Sequence, residues 1–170
     1  RRQTIMDELS VDVDAMIAKY RSEREQALVE WAREFDGVEL TEEGLWVDED
    51  LIKTSHKRVS PEIRKAIDHA RERVERFQSE LKLPSFQSTE ESGVFWGTEV
   101  RPLDRIGVYV PGGRANYFMT LLLCAVPATL AGVKEIIVAS PPKRKLGEPY
   151  LDPALLYLCK IFSISKLLLS

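Results

Sequence analysis

The 170-residue sequence has only two cysteines and two histidines, and that scarcity removes several chemistries at the outset. A disulfide-stapled scaffold needs a denser cysteine framework. Cys124 and Cys159 both sit in apolar, helix-patterned stretches, so they read as buried thiols and suit a cytosolic setting. A zinc site needs ligands at recurring spacing. Neither His56 nor His69 has a second His, Cys or carboxylate so placed, and no metal ligand is assigned. Charge is nearly balanced as well: 24 Lys and Arg against 27 Asp and Glu leave −3, which implies no general affinity for nucleic acid or an anionic membrane. No signal peptide or spanning stretch is visible, since the longest apolar run, Tyr117 to Val133, is short and interrupted by Pro127. The dinucleotide fingerprint G-x-G-x-x-G and the phosphate loop G-x-x-x-x-G-K-[ST] are both missing.

What is present centres on Arg101 to Pro142. Ile106 to Val110 is a β-branched run of the kind buried strands use, and Pro111-Gly112-Gly113 breaks it. The two glycines allow positive φ and close approach of a ligand, though a strand-ending turn needs such residues for steric reasons alone. A dense apolar helix follows from Tyr117, expected to be buried on most sides and to be kinked or split at Pro127. Gly132 stands where a left-handed cap belongs, and Lys134 to Val138 is the next strand. A strand–helix–strand unit of this length predicts parallel neighbours, with ligands at the carboxyl ends of the strands, beside Tyr109.

Upstream, Asp12 caps a helix expected to run to about Phe35, with Val13, Ile17, Tyr20, Leu28, Trp31 and Phe35 largely on one face. Asp36-Gly37 ends it. Leu45-Trp46-Val47 is a short strand candidate, and Asp48 caps a helix to about Lys57. Ser60-Pro61-Glu62 opens an amphipathic helix to about Leu83, whose mixed charges form a solvated face. Ser85 to Ser92 reads as a polar linker, followed by short strands at Gly93 to Gly97 and Glu99-Val100. Lys143 to Tyr150 reads as a loop, and Asp152-Pro153 starts a last helix to about Phe162. The chain begins Arg1-Arg2 without methionine and stops after Leu167-Leu168-Leu169, so an N-terminal fragment is expected, with an association-prone strand edge at 167–169. The fold class expected is α/β: a helical N-terminal portion (residues 1–105, helical or α+β) and an incomplete Rossmann-like βαβ unit with parallel strands (106–170).

The run GVYVPGG, the proline-containing helix after it and the closing AGVKEIIVASPP resemble histidinol dehydrogenase. Arg101-Pro102, Phe35-Asp36-Gly37 and the helix ending Lys82-Leu83-Pro84 fit the same family in the same order. Where the family usually has R-G-D-E-A-L, this chain has Arg24-Glu25-Gln26-Ala27-Leu28 without the glycine, a departure expected at a helix junction. The resemblance implies NAD-dependent oxidation of L-histidinol to L-histidine through the aldehyde, with zinc positioning the substrate. It implies a small amino-alcohol substrate, a cytoplasmic homodimer when full-length, and no nucleic-acid or membrane partner. By the same resemblance Tyr109, with Pro111, Gly112 and Gly113, contacts NAD, whereas a tyrosine read from its residues alone is equally a core phenol bonded to a carbonyl. The family's catalytic and zinc-binding segments fall after Ser170, so no catalytic residue is assigned here. A non-catalytic module, or a related NAD-dependent alcohol dehydrogenase, is the alternative.

Overall fold

The structure, a computed structural model, describes residues 12–112, 117–145 and 148–169. The N-terminal helix is not continuous. α1 (Val13–Glu23) and α2 (Glu25–Trp31) meet at Arg24, whose backbone takes φ 55° and ψ −127°. Lys19 and Glu30 form an ion pair between the two helices. One turn of π-helix, Ala32–Asp36, extends α2 and closes on Gly37 at φ 63°. The apolar stripe expected on this stretch is largely bare: Val13, Ile17, Tyr20 and Phe35 are all exposed.

A 3-10 turn (Glu43–Leu45) leads to α3 (Glu49–Thr54), capped by Asp48, and to α4 (Pro61–Glu80), capped by Ser60. Leu45-Trp46-Val47 is therefore not a strand. Only Trp46 makes a bridge, antiparallel to Leu168, and the Val47 N–H donates to the Leu167 carbonyl at 2.9 Å. The expected linker is a hairpin instead: β1 (Phe86–Thr89) pairs antiparallel with β2 (Phe95–Thr98), turning at Gly93 with φ 83°. Its large side chains stay exposed, with Phe86 edge-on to Trp96 at 5.8 Å between centroids.

The central unit has the expected parallel geometry. β3 (Arg105–Tyr109), β4 (Glu135–Ser140) and β7 (Lys166–Leu169) form one sheet in the order β3-β4-β7, with Val108, Val138 and Leu167 in register. α5 (Phe118–Ala131) links β3 to β4, and α6 (Pro153–Ile161) links β4 to β7. Between β4 and α6, β5 (Lys143–Lys145) and β6 (Glu148–Tyr150) form an antiparallel pair where a loop was expected. α5 and α6 pack on each other, and α4 packs on α5. Their apolar residues, among them Leu121, Leu122, Leu155, Leu158 and Ile67, enclose Val108, Ile136, Val138 and Leu167 in a single core. Each such leucine contributes about 1.5–3 kcal/mol by leaving water.

Two expectations fail here for identifiable reasons, and of the two outcomes expected at Pro127 the split is ruled out. α5 runs on through Pro127, and the carbonyl left without an N–H belongs to Leu123, on an exposed side of the helix. α5 is buried or half-buried along most of its length, but Cys124 lies beside Leu123 on its exposed side and is not a buried thiol; Cys159 is enclosed, and burial pushes its thiol up to about 12. Leu167 and Leu169 are buried, and the outer edge of β7 is met by the Trp46–Val47 segment, so 167–169 is not the open edge that was expected. Gly132 does cap α5 as expected, at φ 92°, with the Val133 N–H returning to the Ala128 carbonyl.

Candidate functional site

The carboxyl ends of β3 and β4 lie side by side. The Val110 N–H still donates to the Ala139 carbonyl at 2.8 Å, after which Pro111 has no N–H to continue the ladder. Pro141-Pro142 stops β4 in the same way. Gly112 is not in the left-handed region; it is required for space, since a Cβ there would sit 2.6 Å from Cγ of Pro141. Pro111, Gly112, Pro141 and Pro142 thus form one tight wall, with Tyr109 at its foot.

The facing wall comes from the N-terminal helices. Met16, Leu28, Trp31, Ala32, Phe35 and Asp36 complete a cleft of about 520 Å³. The π-turn adds a residue to the last turn of α2, and such turns recur at functional sites. Phe35 is 55% exposed and Tyr109 59% exposed, so neither ring is a core residue. Asp36 is the one charged side chain lining the cleft among the described residues, and burial raises its carboxyl above the usual aspartate range. Aromatic and proline walls with one anionic acceptor suit a flat ring carrying hydroxyl donors. They do not supply a nucleophile–base pair.

The structure brings Tyr109, Pro111 and Gly112 together at one cleft; Gly113 lies outside the described residues. The reading of Tyr109 as a core phenol is overturned by its exposure. Trp31, Phe35 and Asp36 were not foreseen as lining residues, and Asp36-Gly37 was read only as a helix stop. The α-helical periodicity of 12–35 hid them, because one extra residue in the turn changes the face. His69 is exposed, and His56 Nδ1 lies within hydrogen-bond distance of both Lys160 Nζ and the Lys53 carbonyl, away from the cleft. Among the described residues no group of three or more His, Cys, Asp or Glu side chains converges, and no helix is long and apolar enough to cross a membrane.

The family model described as histidinol dehydrogenase matches residues 1–169. The histidinol dehydrogenase of Aquifex aeolicus is 38% identical over 145 residues, 85% of this chain and 34% of that protein. That of Oceanobacillus iheyensis is 37% identical over 155 residues, covering 91% and 35%. The crystal structure of histidinol dehydrogenase from Elizabethkingia anophelis superposes with a TM-score of 0.84 at 29% identity, over 96% of this chain and 37% of that one. The chain spans about a third of the length of the curated relatives it matches. With the parallel β3-β4-β7 sheet and the run Gly107-Val108-Tyr109-Val110-Pro111-Gly112-Gly113 in place, the chain belongs to the histidinol dehydrogenase family, a family of oxidoreductases.

Proposed function

We propose that this chain forms part of an enzyme that oxidises the amino alcohol L-histidinol to L-histidine through the aldehyde, and that its own share of the work is to hold NAD. The observation that carries the reading is the cleft at the carboxyl ends of β3 and β4, where an exposed Tyr109 faces Phe35 and Trp31. Ligands of parallel α/β sheets sit at this edge. The residues fit NAD: Tyr109 supplies a ring face and a hydroxyl, and at Gly112 the turn lies against Pro141 with no room for a side chain. NAD, when bound, takes the hydride from the alcohol carbon; the residues of this chain bind and orient it.

The described residues do not fit zinc, since they offer no converging donor set. In this reading zinc and the acid–base groups belong to parts of the enzyme other than the described residues. Residues 1–105 supply the outer wall of the cleft and 106–170 the beginning of a Rossmann-like cofactor domain. A cytoplasmic homodimer is the assembly proposed for the full-length enzyme.

In a protein of the relatives' length, histidinol should drive NAD reduction. Tyr109→Phe should weaken NAD binding by about 0.5–1.5 kcal/mol, the worth of one hydrogen bond. Tyr109→Ala should weaken it further by removing ring contact, with zinc content unchanged. Unaltered NAD affinity in Tyr109→Ala, with the circular dichroism of the wild type, would sink the assignment. A second reading, a partner-binding module without catalysis, is favoured by one observation, the exposed Phe86, Phe95 and Trp96 of the hairpin. The full-length assay separates the two: a chain that turns over histidinol is not such a module.

A further inference from the structure

The charged face of α4 is not uniform. Opposite charges one turn apart on these helices can meet: Lys53 reaches Glu49 at 3.2 Å, and Arg71 reaches Glu75 at 3.1 Å. Arg64 and Asp68 have the same spacing, yet neither forms an ion pair among the described residues, and neither do Lys65 and Glu72 beside them. These four, with His69 and Tyr157, line a second cleft of about 480 Å³ between α4 and α6, which shares no lining residue with the cleft at Tyr109. Arg64 Nε is buried and has no hydrogen-bond partner among the described residues. Burial removes the water that would otherwise accept from it, so such a donor calls for an acceptor. Arg71 shares the unpartnered Nε, but its guanidinium is held by Glu75. Asp68 faces the buried Tyr157, whose hydroxyl lies 3.4 Å from each carboxylate oxygen, a long contact that leaves most of the carboxylate's acceptor capacity unused.

The signs of this lining decide what it can take. Arg64 and Lys65 repel a simple cation, and Asp68 and Glu72 repel a simple anion such as phosphate. An apolar ligand would strip water from all these charges and return nothing. A small zwitterion meets each sign with its opposite. We propose that this cleft binds a free α-amino acid, its carboxylate on Arg64 with Lys65 and its ammonium on Asp68 with Glu72. A guanidinium fork matches the plane of a carboxylate, and an ammonium brings three donors to oxygens that lack them. The termini of a peptide do not fit, because they carry the two charges far apart, whereas an α-amino acid carries both on one carbon. Among the described lining residues only Pro61 and the ring of Tyr157 offer apolar surface, so the α-groups and not the side chain set the class of ligand. The site does not rest on the NAD reading.

The test is a saturation-transfer NMR titration of the full-length enzyme, free of NAD and histidinol, with three probes of one size: L-alanine, L-alaninol and propionate. Wild type should bind L-alanine at least about tenfold tighter than L-alaninol, which lacks the carboxylate, and than propionate, which lacks the ammonium. Arg64→Gln should abolish the preference over L-alaninol, and Asp68→Asn the preference over propionate. Each preference is read within one variant, so partial loss of fold does not mimic this crossed pattern. Lys65→Gln and Glu72→Gln, at exposed positions, should reproduce it in weaker form. Propionate binding wild type as tightly as L-alanine overturns the proposal in favour of an anion site, and L-alaninol doing so overturns it in favour of a cation site. Preferences that persist in both Arg64→Gln and Asp68→Asn put the amino acid elsewhere on the enzyme, and also overturn it. L-alanine without saturable binding overturns it before any variant is made. None of these outcomes bears on NAD at Tyr109.

Discussion

Leu167 and Leu168 are adjacent, chemically identical and hydrogen-bonded into the same strand, yet one is fully enclosed and the other only half-buried. The contrast holds across the sheet. Val108, Ile136, Val138 and Leu167 point into the core under α5 and α6. On the opposite face Arg105, Gly107 and Tyr109 are exposed, while Glu135, Ile137, Ala139 and Leu168 are half-buried. Both crossover helices lie together, so the parallel sheet has one finished face and one that carries Glu135 bridged to Arg105 and to Lys166 at 2.7 Å. Parallel sheets ordinarily bury both faces and read as continuous apolar runs. Ile136-Ile137-Val138-Ala139 has that pattern, but a pattern records what a strand is suited to meet, not what meets it.

The sharpest way to break the comparison is to truncate both leucines. Leu167→Ala should lower stability by about 2–5 kcal/mol, the cost of an enclosed cavity. Leu168→Ala should cost about 1 kcal/mol, since only half its surface leaves water. Equal shifts in urea unfolding midpoints would mean that the two faces are equally covered.

A smaller effect belongs to the helices that wall the Tyr109 end of the open face. Arg24 holds a positive φ that side chains rarely adopt, at the junction of α1 and α2. Arg24→Gly should relieve about 1 kcal/mol of strain, seen as a raised melting temperature. A lowered one would show that the Arg24 side chain contributes more than its backbone costs.

The smallest effect is ionic. The Lys166 hydrogen bond, then that of Arg105, holds the Glu135 carboxyl below its ordinary value of 4.5. A depressed acid stabilises the fold above its unfolded pKa, and that contribution is lost as pH falls through the folded value. The melting-temperature gap between wild type and Glu135→Gln should therefore be present at neutral pH, narrow as pH falls below the ordinary glutamate value through the lowered folded one, and shrink in high salt. A gap independent of pH would assign it to packing.

Much of this arrangement was legible from residues alone because it is local. Asp12, Asp48, Ser60 and Asp152 each cap the helix they precede. Gly132 ends α5, and two β-branched runs separated by one helix gave the parallel pair. What stayed hidden is non-local or counter to propensity. Helix propensity gives no sign of the break at Arg24, since arginine is a good helix former; only the family resemblance pointed to a junction there. The 85–92 stretch looks like a linker because its strand exists only against β2. Half the candidate site escaped because Phe35 and Asp36 meet Tyr109 only when the helices fold back over the sheet.

The Trp46–Val47 contact with β7 has a consequence in time. The segment that seals the outer edge of β7 leaves the ribosome early, and its partners Leu167 and Leu168 emerge about 120 residues later. At roughly 5–20 residues per second, the early segment waits on the order of ten seconds for them. Helices α3 and α4 can form during that interval from their own caps, whereas the bridge cannot. These helices are thus built before the edge contact ties them to the sheet.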